Sequence, residues 1–273
     1  MTLARARPYV YLTPTLLALG AFTYFPIARL AAMSLEAPAA TYGALAHNPL
    51  FWRVVGQTCL YVGISVPLTI GFALGLALLL DRKIRGVGVF RVLYYTPVVM
   101  PTVAVAALAL WLFNANGGVV DYLLGGIGLP HIPWLESTSW ALVTLILVAV
   151  WKNLGYYAII YLAALQGLPL PVLDAARLDG ARPLVRFFTV TFPLLRPTTF
   201  FLSVVGVIAS FQVFDFVNLM TQGGPSNATN VLVYFAYQNG FSYMQLGAAA
   251  AVSLAMFALV LAILGLLSWI LNR

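Results

Sequence analysis

Charge is what this sequence has least of. Only 8% of its 273 residues are Asp, Glu, Lys or Arg, against roughly 25% in soluble domains. Hydrophobic residues make up 62%, and a chain so poor in charge is read as an integral membrane protein. The formal charge of +7 would point to nucleic acid in a soluble protein. Here Lys and Arg serve to anchor loops at one membrane face, so nucleic acid is excluded as a partner and membrane lipid takes its place. Cysteine is almost absent as well: Cys59 stands alone in an apolar run, which rules out an intrachain disulfide and a Cys-rich metal site and suggests a small packing residue. His47 and His131 fall in predicted outer loops, where solvated or interfacial roles suffice. No G-x-x-x-x-G-K-[ST] phosphate loop, G-x-S-x-G elbow or H-E-x-x-H pair occurs. The chain therefore carries no apparatus of an enzyme, and uphill work needs a partner or an ion gradient.

What the sequence has is long apolar runs. A spanning helix needs roughly 20 such residues to cross about 30 Å of hydrocarbon. Six stretches qualify, at about 9–32, 54–80, 90–113, 140–165, 198–220 and 246–270. They are continuously apolar rather than alternating, which favours helices over barrel strands. The fold class is all-α, a polytopic membrane protein with six transmembrane helices in one domain over 1–273. Met1 to Arg7 followed by an apolar run imitates a signal peptide, but the run is too long and reads as a retained first helix.

Most basic residues fall at one face: Arg5 and Arg7, then Arg82, Lys83, Arg85 and Arg91, then Arg177, Arg182, Arg186 and Arg196, then Arg273. The positive-inside rule then puts both termini in the cytoplasm. Segments 114–139 and 221–245 hold no Lys or Arg and are rich in turn formers, as in Asn114-Ala-Asn116-Gly-Gly118 and Gly223-Gly-Pro225, which favours irregular outer loops. Trp134 and Trp140 flank the fourth span, where indoles suit the interface. Gly71 and Gly75 form a small-xxx-small pattern that suits close helix packing or simply faces lipid. Pro67, Pro97 and Pro101 should kink the second and third spans, and the freed carbonyls either line a cavity or are merely tolerated.

Two charges fall inside predicted spans, each costing roughly 2.5–3.5 kcal/mol on insertion scales. Asp215 is expected to share a helical face with Gln212, Asn218 and Gln222, a stripe suited to a polar pathway or to structural hydrogen bonds. Lys152 stands beside Asn153, with Tyr156, Tyr157 and Tyr161 following, and its depth argues against direct pairing with Asp215. No inverted repeat with paired broken helices is visible, and two charges leave little for ion coupling.

Between the fourth and fifth spans lies a charged insert, PVLDAARLDGARPLVRFFTVTFP, from Pro171 to Pro193. Leu168-Pro169-Leu170-Pro171 stops the span, Val172 to Asp179 reads as a short helix closed by Gly180, and a second short helix starts near Pro183. Phe187, Phe188 and Phe192 then lay apolar surface against the bundle or the membrane. The order DAA-x3-G-x9-V-x-F-P resembles the EAA signature of binding-protein-dependent ABC permeases, E-A-A-x3-G-x9-I-x-L-P, with Asp174, Val190 and Phe192 as its departures. Trp151-Lys-Asn-Leu-Gly155, Tyr161 to Pro169, Phe211-Gln-Val-Phe-Asp215 and Thr221-Gln-Gly-Gly-Pro225 with Thr229 are similar to the carbohydrate-uptake branch related to maltose and glycerol-3-phosphate importers. The resemblance covers the last ~125 residues in detail and the earlier helices by topology. The short first loop looks more like the glycerol-3-phosphate and oligosaccharide branch.

That resemblance implies a subunit of an ATP-driven importer in the bacterial inner membrane. A second, different permease subunit, two ATP-binding subunits and an extracytoplasmic solute-binding protein or lipoprotein would complete it. ATP and Mg would sit on the ATPases, with no cofactor on this chain. The coupling loop 168–193 would dock on an ATPase through Asp174, Ala175, Ala176, Asp179, Gly180, Arg182 and Pro193. The solute pathway would be lined by Phe211, Gln212, Asp215, Asn218, Gln222, Lys152 and Tyr156. A sugar or related polar solute is expected, since Lys152 is the one cation at depth; glycerol-3-phosphate or a glycerophosphodiester is the alternative within the class, and an ion-coupled secondary transporter the alternative outside it.

Overall fold

Continuous apolar runs leave the backbone to satisfy its own hydrogen bonds, and among the described residues it does so in helices, with no strand. The computed structural model describes residues 2–81, 87–115, 117–180 and 182–271. Arg82, Lys83, Arg85, Asn116, Ala181 and Arg273 lie outside the described residues.

Among the described residues, five helices are long and apolar enough to cross a membrane: Tyr11–Ser34, Pro49–Leu80, Ala141–Gln166, Arg196–Thr221 and Leu246–Ile270. The remaining span, the third in chain order, is a bent pair. Gly88–Val99 and Thr102–Leu112 meet at 102°, which makes the expected helix 90–113 two arms rather than one kinked rod. Pro97 is carried within the first arm and the helix continues through Pro67, so Pro101 alone of the three prolines marks the break. Its backbone is extended, φ −54° and ψ 139°, and the second arm starts from it. The fifth span is interrupted too, at Gln212 and Val213, before a short helical segment over 214–221.

The second and fourth spans form the most extensive helix pair, and the first arm of the third span lies along the fourth. Two apolar clusters fill the bundle. One is built on Ala73, Ala77, Tyr161 and Leu202 near the end that carries the loop 168–193. The other is built on Val54, Val105, Leu145 and Val252 toward the opposite end. The first span buries none of its apolar window within this chain, and Phe22 at 84% exposure shows how fully it is left to lipid or to another subunit.

Of the two readings of Gly71 and Gly75, the outward-facing one holds, since both have open space where a Cβ would be, while a close helix approach falls at Gly155. Several other expectations are corrected. Cys59 faces outward rather than filling a gap in the core. The outer segments are more regular than their turn formers suggest, since Val119–Gly126 and Leu232–Tyr237 are helical. Trp134 is buried rather than interfacial: its ring meets Phe113 and Trp140, and its indole Nε1 donates to Asp121 Oδ1 at 3.0 Å. Asp121 Oδ2 also lies 2.8 Å from His131 Nδ1, which pins one outer helix to the entry of the fourth span. The turn after the fifth span is held by Thr229, whose Oγ1 lies 2.7 Å from both Thr221 Oγ1 and the Gly224 carbonyl.

Candidate functional site

Where the second, third, fourth and fifth spans converge, they enclose a polar cavity of about 170 Å³. On the second span Tyr61, Ser65 and Thr69 line it at four-residue spacing, which puts all three on one helical face. Thr102, first residue of the third span's second arm, forms another wall. Lys152, Asn153 and Tyr157 line it from the fourth span, and Ser210, Gln212 and Asp215 from the fifth. Ser65 Oγ and Ser210 Oγ are 3.3 Å apart across the second and fifth spans.

Both charges expected inside the membrane thus face one cavity. They do not pair with each other among the described residues. Lys152 Nζ donates instead to the carbonyl oxygens of Met100 at 2.8 Å and Pro97 at 3.4 Å. The reason is local: the Pro97 carbonyl would ordinarily accept from the N–H of residue 101, and Pro101 has none. The 102° bend carries the Met100 carbonyl out of the helical ladder as well. An ammonium at the C-terminal end of a helix also meets the negative end of its dipole, worth about 0.3–1 kcal/mol on surfaces and up to about 2 kcal/mol when partly buried. Together with two charge-assisted hydrogen bonds, this offsets an insertion cost of roughly 2.5–3.5 kcal/mol. Asp215 remains exposed and directed at the cavity, opposite hydroxyls and amides.

Three turns of the expected polar stripe do not survive as one face. The fifth span stops at Gln212, and the chain makes a tight turn in which Phe214 N donates to the Gln212 carbonyl at 2.7 Å. Val213 has φ −72° and ψ 45°, close to an inverse γ-turn. The segment resumes on a different axis, so Gln212 and Asp215 line the cavity while Asn218 and Gln222 do not. Gln222 ends the segment in a left-handed conformation, φ 50°. Phe211 is 2% exposed and belongs to the apolar core. Tyr156 points away from the cavity lining; its neighbour Tyr157 takes that place, with the two rings edge-to-face at 5.7 Å. Tyr61, Ser65 and Thr69 add to the expected lining, and their four-residue spacing is visible in the sequence.

The charged insert folds as a helix, a glycine corner and a second helix. Leu170–Leu178 is the first helix, Gly180 follows with φ +70°, and Arg182, extended, starts the helical run Pro183–Leu194. Only glycine takes such a φ without strain, and an added Cβ at Gly180 would meet open space, so the corner is set by backbone conformation rather than packing. Phe187 and Phe192 pack against the bundle while Phe188 is exposed. Asp174 and Ala175 are exposed on the first helix, Ala176 is partly so, and Asp179 is exposed just past its end. Leu178 at 89% and Leu184 at 74% exposure flank the corner. Pro193 lies in the last turn of the second helix, which returns the chain to the fifth span.

Broken spans around a polar cavity, with a projecting elbow at one end of the bundle, define a multi-pass membrane transport permease. The chain belongs to the family described as binding-protein-dependent transport system inner membrane component, whose family model matches residues 67–273. It is 35% identical to the sn-glycerol-3-phosphate transport system permease protein UgpA of Agrobacterium fabrum, over 82% of this chain and 76% of that protein. It is 32% identical to the lactose transport system permease protein LacF of Rhizobium radiobacter, over 96% of this chain and 92% of that one. Its fold matches a chain of a bacterial ABC transporter that imports the acidic polysaccharide alginate, with a TM-score of 0.87 at 24% identity, over 99% of this chain and 96% of that chain. The chain is thus a permease subunit of an ABC importer.

Proposed function

We propose that this chain is one of two permease subunits that together enclose the path of an uncharged, polyhydroxylated solute such as a sugar. An extracytoplasmic binding protein or lipoprotein delivers the solute, and two ATP-binding subunits carrying ATP and Mg drive its passage. The observation that carries this reading is the elbow: Leu178 and Leu184 are bare on a charge-bearing loop that lies beyond the ends of the fourth and fifth spans. Such a surface fits a cleft on a partner, with Asp174, Ala175, Ala176, Asp179, Gly180 and Arg182 forming the inserted corner and Pro193 its return. The excess of Lys and Arg on that side supports a cytoplasmic loop and cytoplasmic termini.

The cavity supports the solute class. Its volume is below the roughly 300–1,000 Å³ of complete small-molecule sites, which fits one subunit supplying one wall. Its one cation and one anion balance, and the cation already serves two backbone carbonyls. An anionic solute is the second reading, favoured by the relative named for sn-glycerol-3-phosphate. In proteoliposomes holding the whole complex, Gly180→Asp should leave assembly intact while uncoupling ATP hydrolysis from uptake; normal coupling in that variant removes the docking role. Uptake that persists without ATP but collapses with a protonophore would instead indicate an ion-coupled carrier.

A further inference from the structure

We infer that Lys152 is a positioning residue that pins the broken third span to the fourth, so that movement of the coupling loop is delivered to the cavity wall at Thr102. The inference rests on the docking role proposed for that loop. The fourth span is an unbroken helix, Ala141–Gln166, and the loop helix Leu170–Leu178 follows directly. The join is tight: Leu168 N donates to the Leu165 carbonyl at 3.2 Å and Val172 N to the Pro169 carbonyl at 3.1 Å. Lys152 lies about 21 Å up the same rod at 1.5 Å per residue.

Two residues one turn apart on that rod grip the third span. Gly155 lets its backbone come in so close that an added Cβ would run into the Tyr94 carbonyl oxygen and meet Val98 Cγ2 at 3.0 Å. Lys152 takes the Pro97 and Met100 carbonyls at 3.4 and 2.8 Å, immediately before the bend. The bend opens at Pro101, and the next residue, Thr102, lines the cavity. A rigid rod fixed at two points to the end of a half-helix carries that end with it. Without the ammonium, the Pro97 and Met100 carbonyls lose the long-range hydrogen bonds they have among the described residues, and the break, held then only through the contact at Gly155, lags behind the fourth span.

The test uses the complete complex in proteoliposomes, with Cys59→Ser as background and Thr102→Cys as reporter for a water-soluble maleimide. Reactivity at the reporter should differ between the nucleotide-free and vanadate-trapped states. Lys152→Met should abolish most of that difference and lower uptake per ATP hydrolysed by about tenfold, while a cysteine at Ala176 still cross-links to the ATPase. Lys152→Arg, which keeps the cation, should restore the difference. Pro101→Ala returns an N–H to the Pro97 carbonyl, so adding Lys152→Met to it should do little further harm. Lys152→Met that keeps both the reactivity change and full coupling overturns the inference, as does a rise in KM with kcat unchanged, which would make Lys152 a solute contact. If Lys152→Met fails to assemble, the Pro101→Ala background decides: failure there as well also overturns it. Absence of the Ala176 cross-link in the unaltered complex would sink the docking role itself, a different result.

Discussion

Two spans break beside the same cavity, and they break in opposite ways. The third is broken by Pro101, which removes a donor and leaves carbonyls to be met from elsewhere; Lys152, distant in sequence, meets them. The fifth is broken without proline, in a turn that closes on itself: Gln212 N reaches the Ala209 carbonyl at 3.1 Å and Phe214 N the Gln212 carbonyl at 2.7 Å. One break is therefore tied to another helix, and the other satisfies itself. The difference is in what holds each break: the third depends on a side chain from another helix, whereas the fifth closes its own hydrogen bonds and is held by burying Val213, Phe216 and Val217 in the core.

The largest effect is expected where the tied break is gripped hardest. Gly155→Val places a branched side chain against the Tyr94 backbone, and overpacking of this kind costs about 1–3 kcal/mol or more. Thermal unfolding of the purified complex should shift down clearly; an unchanged midpoint would mean the third span is not held there. Next is Pro101→Ala, expected to straighten the arms and close off Thr102 from the cavity. Loss of maleimide reactivity at Thr102→Cys would show it, and retained reactivity would assign the bend to packing rather than to proline.

At the other break, Asp215→Asn should reduce uptake by about tenfold, equivalent to about 1.4 kcal/mol, at normal assembly. Unchanged uptake removes Asp215 from the pathway. The smallest effect on folding is expected for Gln212→Ala, since the turn uses only the Gln212 backbone. Its stability should stay within about 0.5 kcal/mol of the parent, so that any change in uptake reports the cavity. A large loss of stability would show that this break, too, depends on side chains.

The two breaks also differ in how far they could be read beforehand. Pro101 was visible as an interruption, though its scale was not: a kink was expected and a 102° corner is present. The fifth break carries no proline or glycine at Gln212–Val213, so a stripe of polar residues at helical spacing looked continuous through it. That continuity assigned Asn218 and Gln222 to the cavity and left Tyr61, Ser65 and Thr69 out. Periodicity assumes one helix axis, and it fails once the axis changes. It also cannot separate neighbours such as Tyr156 and Tyr157, whose placement depends on the rotation of the whole span. The elbow was legible because its determinants are local: prolines at the entry, a glycine at the corner, phenylalanines on the return.

Sequence alone determined that this chain lies in a membrane, roughly where it crosses, and that a glycine-cornered elbow lies between the fourth and fifth spans. These follow from hydrophobic length and from single-residue backbone preferences, which act within a few residues. Tertiary structure alone decided what Lys152 and Asp215 do. An ammonium in a low-dielectric interior goes to the strongest acceptors within reach, and those acceptors were created by a proline in another helix, some 50 residues away in the chain.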